Sequence, residues 1–285
     1  MRKDGKRVKD ATPMYSAVPH IMRERNDALN YTTVEVPYQP LHKYIIDCRK
    51  KGISISHLSV IIAAYLRIVS EMPELNRFVV NRRIYAHKDV KIAMVVLKHS
   101  SKSSETMGKV EFELDDTIFE VNDKINKFVE DSRSAETSND LDKLLDFLFK
   151  VPGLIRTILT FLMWLDKHNL LPKAIINASP FHASLTVTNL ASIRTGEIYH
   201  HIYNFGTTSV FIAMGMPKKK LELVDGQPEE VKYLPLGIVM DERIASGVYF
   251  AKAFHKLKTY LADPSLLEVK PETVTLDSPY VKKNK

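Results

Sequence analysis

Residues 236–247 read Leu236-Gly237-Ile238-Val239-Met240-Asp241-Glu242-Arg243-Ile244-Ala245-Ser246-Gly247, and the fold turns on how this stretch is read. Its first five residues are apolar or small and predict a strand. Two charged residues, a small polar residue and a glycine follow. Phe250, Phe254, Leu257 and Leu261 then recur at helical spacing, and Asp263-Pro264 stops the run. A strand that breaks into a polar turn and re-enters as a buried helix can hold a catalytic side chain. The residue set at that turn is Glu242.

Upstream of this stretch, Ser209 to Met214 and Ser184 to Thr188 predict two more strands, with the polar pair His200-His201 in the stretch between them. Further upstream, Leu141 to Leu171 is strongly apolar, broken at Pro152-Gly153, and contains the only tryptophan, Trp164. The run Val151 to Leu165 contains Arg156 and is shorter than the roughly 18 residues a membrane span needs. It is expected to be a core or subunit-interface helix, with a pocket wall or a docking surface as alternatives. Ile118 to Val129 predicts an amphipathic helix, and Val110, Phe112 and Leu114 a strand with one wet face. Val90 to Leu97 predicts a strand covered on both faces. His99 to Met107 and Ser132 to Asn139 are expected to be loops. Phe78 to Tyr85 predicts a hairpin around Asn81-Arg82. Helices are expected over Ile21–Leu29, over Leu41–Lys51, and after a Ser54 or Ser56 cap up to Met72-Pro73, with a strand over Asn30–Val36.

Residues 1 to 15 are expected to be a mobile basic segment, residues 16–268 a single domain and residues 269–285 a tail. Strands mixed with helices predict an α/β two-layer sandwich whose mixed sheet is covered mainly on one side by helices. The 285 residues, 45% hydrophobic and 26% charged, can bury a large core. Cys48 is the only cysteine, so an internal disulfide is excluded and a reducing, cytoplasmic setting is expected, without a signal peptide. The net charge of +7 permits a phosphorylated ligand or an acidic partner. No nucleic-acid module accompanies the basic residues, and none of the ten histidines has metal-ligand spacing with the cysteine, so neither nucleic acid nor metal is expected.

Several segments in order resemble the catalytic domain of the 2-oxo-acid dehydrogenase acyltransferases, the dihydrolipoyl acyltransferases, which share the chloramphenicol acetyltransferase fold. Glu71-Met72-Pro73-Glu74-Leu75-Asn76 resembles that family's E-x-P-E-L-N segment. Val90 to Val96 resembles its V-N-I-G-I-A-V strand, and Leu185-Thr186-Val187-Thr188-Asn189-Leu190 its F-T-I-S-N-L strand. Asp241 to Gly247 and Leu257 to Leu267 stand where the family has D-H-R-V-I-D-G and L-x-x-L-x-x-P-x-x-L-L. The resemblance implies a homotrimer with active sites in channels between subunits. Coenzyme A or acyl-CoA would be the substrate, and a small-molecule acyl donor or acceptor would enter opposite. The chain contains no lipoyl-bearing domain, so a carrier protein on another chain or a free substrate is expected.

Acyl transfer needs a base to activate the nucleophile and a donor to meet the charge on the tetrahedral oxygen. Thr188 stands where the family has its oxyanion-supporting serine and keeps the hydroxyl; the plain alternative is a strand threonine. The family's catalytic histidine is replaced by Glu242, and its aspartate by Ser246. A solvated glutamate, with a pKa of about 4.3, is a poor base toward a thiol of about 8.5. Ser246 is expected to cap the following helix. His200 or His201 could supply a relocated base; the alternative is a surface pair. The sequence therefore supports a weak or inactive CoA-dependent acyltransferase, or a non-catalytic trimeric binding or scaffold relative.

Overall fold

The computed structural model describes residues 2–97, 105–134 and 152–281. The larger sheet contains β2 (Leu29–Pro37), β5 (Val90–Leu97), β6 (Glu105–Phe112), β7 (Leu185–Asn189), β8 (Val210–Met214), β9 (Lys218–Val224) and β10 (Gln227–Asp241). Its order is β2-β10-β8-β7-β5-β6, with β9 paired to the first half of β10. The sheet is mixed: β7 runs parallel to β5 and to β8, and the other pairs are antiparallel. A smaller antiparallel sheet joins β1 (Gly5–Arg7), β4 (Arg83–His87) and β3 (Arg77–Val80).

Among the described residues the helices are α1 (Pro13–Ile21), α2 (Tyr38–Lys50), α3 (His57–Glu71), α4 (Ile118–Ser134), α5 (Leu154–Lys167), α6 (Lys173–Ala178) and α7 (Gly247–Ala262). Alternation along the strands decides which face they cover. Val187, Ile212, Met214, Leu236, Ile238 and Met240 point into the main core with residues of α2, α3, α4 and α7. Phe211, Ala213 and Val239 point the other way and close a small cluster with Ile202. One face therefore carries α2, α3, α4 and α7, and the other is crossed by the chain between β7 and β8. This is the α/β two-layer sandwich read from the sequence.

Most of the expected elements are present, with local differences. Ser56, not Ser54, caps α3 by accepting from the Ser59 amide at 3.0 Å. The first helix is Pro13–Ile21; Asn26–Ala28 is only a short 3-10 turn, because Arg25 turns inward to buried partners. Strand β6 already begins at Glu105, inside the stretch expected to be a loop. The expected loop at 132–139 lies largely outside the described residues, as does the first part of the apolar stretch at 141–151.

Helix α5 is not a core helix within this chain. Asp166 is its only buried residue, while Phe161 and Trp164 are 56% and 48% exposed. Asp166 fixes the end of the helix, accepting from Arg2 at 2.8 Å with His182 Nε2 at 3.3 Å. Burial alone would raise the Asp166 carboxyl, but the hydrogen bond from His182 and the charge of Arg2 outweigh it and hold the carboxyl below its ordinary value. Described residues near both ends of the chain are tied to the body. Residues 5–7, within the segment expected to be mobile, form β1, and Arg77 grips Asp277 in a two-pronged pair at 2.6 and 2.7 Å.

His87 on β4 is buried among Asp4, Arg2 and His182, and burial lowers its imidazole from the ordinary 6.5 to about 4. The unfolded chain takes up that proton near pH 6.5, and the folded chain takes it up only near pH 4. Stability is therefore expected to fall by about 3 kcal/mol between those values. His57, also lowered to about 4 by burial, adds to the same window. Urea unfolding of His87→Gln isolates the His87 share: the gap between its pH 7 and pH 4.5 midpoints should be smaller than in the wild type. An identical gap would mean that His87 is not held neutral.

Candidate active site on the open face of the sheet

The open face displays Thr186 and Thr188. Their sheet partners on β8 are Phe211 and Ala213, which belong to the small cluster, whereas Val187 between them belongs to the main core. The alternation Leu-Thr-Val-Thr thus places two hydroxyls on the side away from the helices. Thr188 and Thr186 line a cleft of about 500 Å³ together with Ile193, Phe211 and His200, and the same cleft reaches Met94, Ile125 and Val129, which belong to or pack against the helix-side core. Among the described residues the Thr188 hydroxyl has no hydrogen-bond partner, so it is available to a ligand.

His200 arrives from the segment after β7. Its ring stacks on Phe211, with centroids 4.5 Å apart and 3° between planes. Its Nδ1 lies 2.8 Å from the carbonyl oxygen of His201. A carbonyl can only accept, so Nδ1 carries the proton and Nε2 holds the free lone pair. This segment lies directly on the sheet. A Cβ at Gly237 would stand 2.3 Å from the Ile198 carbonyl oxygen, so a residue without one is required there. Tyr199 pins the same segment to β2 through a 2.6 Å hydrogen bond with the Thr33 hydroxyl.

The other residues singled out in the sequence lie elsewhere. His201 is exposed, set edge-on to Tyr203, and lies outside the cleft. Glu242 accepts from Asn30 Nδ2 at 2.6 Å at the far end of β10. The register quantifies the separation. Thr188 pairs with Ala213, and Ala213 with Gly237. Glu242 is five residues further along the strand and two strands across, roughly 19 Å from Thr188 by strand geometry. One subunit cannot join them. Ser246 caps α7, accepting from the Tyr249 amide at 3.1 Å. Ser246→Ala should cost about 1 kcal/mol, read from the urea midpoint, and an unchanged midpoint would deny the cap any energetic role.

Sequence reading did not find the buried charges around the turn. Asp241 is fully buried and holds Arg243 in a two-pronged pair at 2.8 and 2.7 Å, with Arg25 3.5 Å away. The apolar stretch did not identify a wall of the Thr188 cleft either: no described residue of α5 lines it. Among the described residues no cluster of histidine, cysteine and carboxylate side chains could hold a metal ion. No described helix is long and apolar enough to cross a membrane.

The fold is similar to that of solved acyltransferases of the chloramphenicol acetyltransferase type. A probable dihydrolipoamide acetyltransferase from Listeria monocytogenes superposes with a TM-score of 0.57 at 14% identity, over 90% of this chain and 94% of that one. A dihydrolipoamide acetyltransferase from Azotobacter vinelandii gives 0.60 at 13%, over 92% and 93%. A chloramphenicol acetyltransferase gives 0.55 at 9%, over 90% and 99%. No protein-family model matches the chain, and no curated protein does. At such identities the likeness is one of fold, and function must be argued from the site.

Proposed function

We propose that this chain is a CoA-dependent acyltransferase in which His200 has taken over the proton transfer. The observation that carries the reading is that Thr188 and His200 line one cleft. In the reaction, His200 Nε2 takes the proton of an acceptor thiol or hydroxyl. The acceptor sulfur or oxygen then bonds to the thioester carbonyl carbon, and the oxyanion so formed accepts from the Thr188 hydroxyl. Collapse breaks the carbon–sulfur bond, and the leaving thiolate recovers the proton from the imidazolium. The donor is acetyl-CoA or another acyl-CoA, or an acyl group borne by a carrier on another chain. Residues 16–268 act as one unit, and a homotrimer, as in the acyltransferases it resembles, is the expected assembly. Glu242, held by Asn30, has a structural part.

A second reading is a non-catalytic relative that keeps the fold and binds an acyl-CoA. It is favoured by the absence of an imidazole at the turn: Glu242 and Ser246 stand at the family's two motif positions, and Ser246 is occupied as a helix cap. The two readings part on one measurement, thiol release from acetyl-CoA with a small thiol or alcohol acceptor. Turnover abolished by Thr188→Ala supports the enzyme. Stabilisation by coenzyme A without any turnover supports the binding protein.

A further inference from the structure

At the end of β10 two buried guanidiniums share one carboxylate. Arg25 and Arg243 are 3% and 2% exposed, and Asp241 is fully buried. Arg243 takes both Asp241 oxygens, so Arg25 faces a carboxylate already engaged. The remaining donors of Arg25 go to the carbonyl oxygens of Tyr203, Gly206 and Val79, which are dipoles and carry no net charge. Its Nε has no hydrogen-bond partner. Two buried guanidiniums thus share one adjacent carboxylate, with Asp166 adding a further attraction on Arg25, and a buried charge that is only partly compensated is costly. Burial, opposed by Asp241 and reinforced by Arg243, holds Arg25 below its ordinary value.

Arg25 and Arg243 also line a cleft of about 490 Å³, which shares no lining residue with the Thr188 cleft. Its rim adds Arg23, Arg82 and Lys167, and Trp164 of α5 forms an apolar wall. The two-residue turn Asn81-Arg82, with φ of 47° and 59°, sets Arg82 at the mouth. Glu24 and Asp166 are the acidic residues on the wall, and Asp166 is engaged by Arg2 and His182. Arg23, Arg82 and Lys167 make no ion pair with another described residue. Four arginines and a lysine line this one cleft, and such a basic lining suits a phosphate dianion better than a single carboxylate.

We propose that this cleft binds a small phosphate-bearing ligand, whose phosphate supplements the single carboxylate shared by Arg25 and Arg243 and is gripped at the rim by Arg82 and Lys167. The proposal stands apart from acyl transfer and survives if that reading fails.

Calorimetry of the full chain with inorganic phosphate and with pyrophosphate tests it. Saturable binding is expected. Arg82→Ala/Lys167→Ala should weaken it by about tenfold or more, while Lys258→Ala, exposed on α7, leaves it unchanged. The rim variants spare the buried pair, so folding is not at stake. A parallel arm sediments the protein with phosphatidylcholine vesicles with and without phosphatidic acid. Binding of free pyrophosphate alone identifies a soluble ligand. Rim-dependent sedimentation only with phosphatidic acid identifies a lipid headgroup. Equal affinity in the rim variant, or no saturable binding up to about 10 mM in either arm, overturns the proposal.

Discussion

Asp241→Ala is expected to destabilise the chain by about 3–5 kcal/mol, a large share of the roughly 5–15 kcal/mol that holds an ordinary domain together. The substitution leaves Arg243 and Arg25, both buried, with no carboxylate between them. The carbonyl oxygens of Met22 and Arg23 that also accept from Arg243 cannot replace a charge. A fall in melting temperature of about 6–20 °C follows. Arg243→Ala should cost less, because it leaves one guanidinium, Arg25, facing one carboxylate. The double variant Asp241→Ala/Arg243→Ala should be less unstable than the sum of the two, since it leaves a single uncompensated cation. The exposed pair Lys256–Glu71 gives the contrast: breaking it should cost no more than about 1 kcal/mol. A urea-derived stability for Asp241→Ala within about 1 kcal/mol of wild type would mean that water reaches the cluster and solvates the two guanidiniums.

The same cluster shows where reading the sequence reached its limit. Strand β10, its turn and α7 were legible because an apolar run, a cap and a 3.6-residue period are all local signals. Thr188 was legible for the same reason: Leu185-Thr186-Val187-Thr188 alternates, and alternation fixes which side chains share a face. Strand β9 and the first half of β10 were missed because their residues are nearly all exposed, and Lys218 to Lys220 and Gln227 to Glu230 show no apolar face to detect. The pairing of Arg25 with Asp241 joins residues far apart in the chain, and nothing local to either announces it. His200, one of two adjacent histidines in a polar stretch, reads from sequence more readily as a surface residue than as a base. What brings it to the cleft is the missing side chain of Gly237, which lets the Ile198 backbone lie on the sheet. In sequence that glycine is only a weak spot in a strand.

His200→Ala is expected to lower kcat for acetyl-CoA-dependent transfer by about 10²–10⁴, the usual worth of a positioned general base. The variant should fold, because His200 is only half-buried and the segment stays anchored through Tyr199 and Thr33. KM should change little, since the interaction lost is one made in the transition state. Thr188→Ala should cost about 10²–10³, the worth of one oxyanion donor. The two losses should not add fully, because the residues act on one tetrahedral intermediate. Glu242→Gln discriminates between sites. Within one chain Glu242 is too distant from Thr188 to act on the same substrate, and its turnover should match wild type. If Glu242→Gln abolishes turnover while His200→Ala leaves it intact, the base must come from the β10 turn of a neighbouring copy. The site would then exist only in the assembled oligomer, and dilution to monomer would silence it. If instead His200→Ala is silent and the monomer turns over, the cleft on the open face is not the seat of the chemistry. Rate measured against protein concentration therefore decides between a site built on one sheet face and a site shared across an interface.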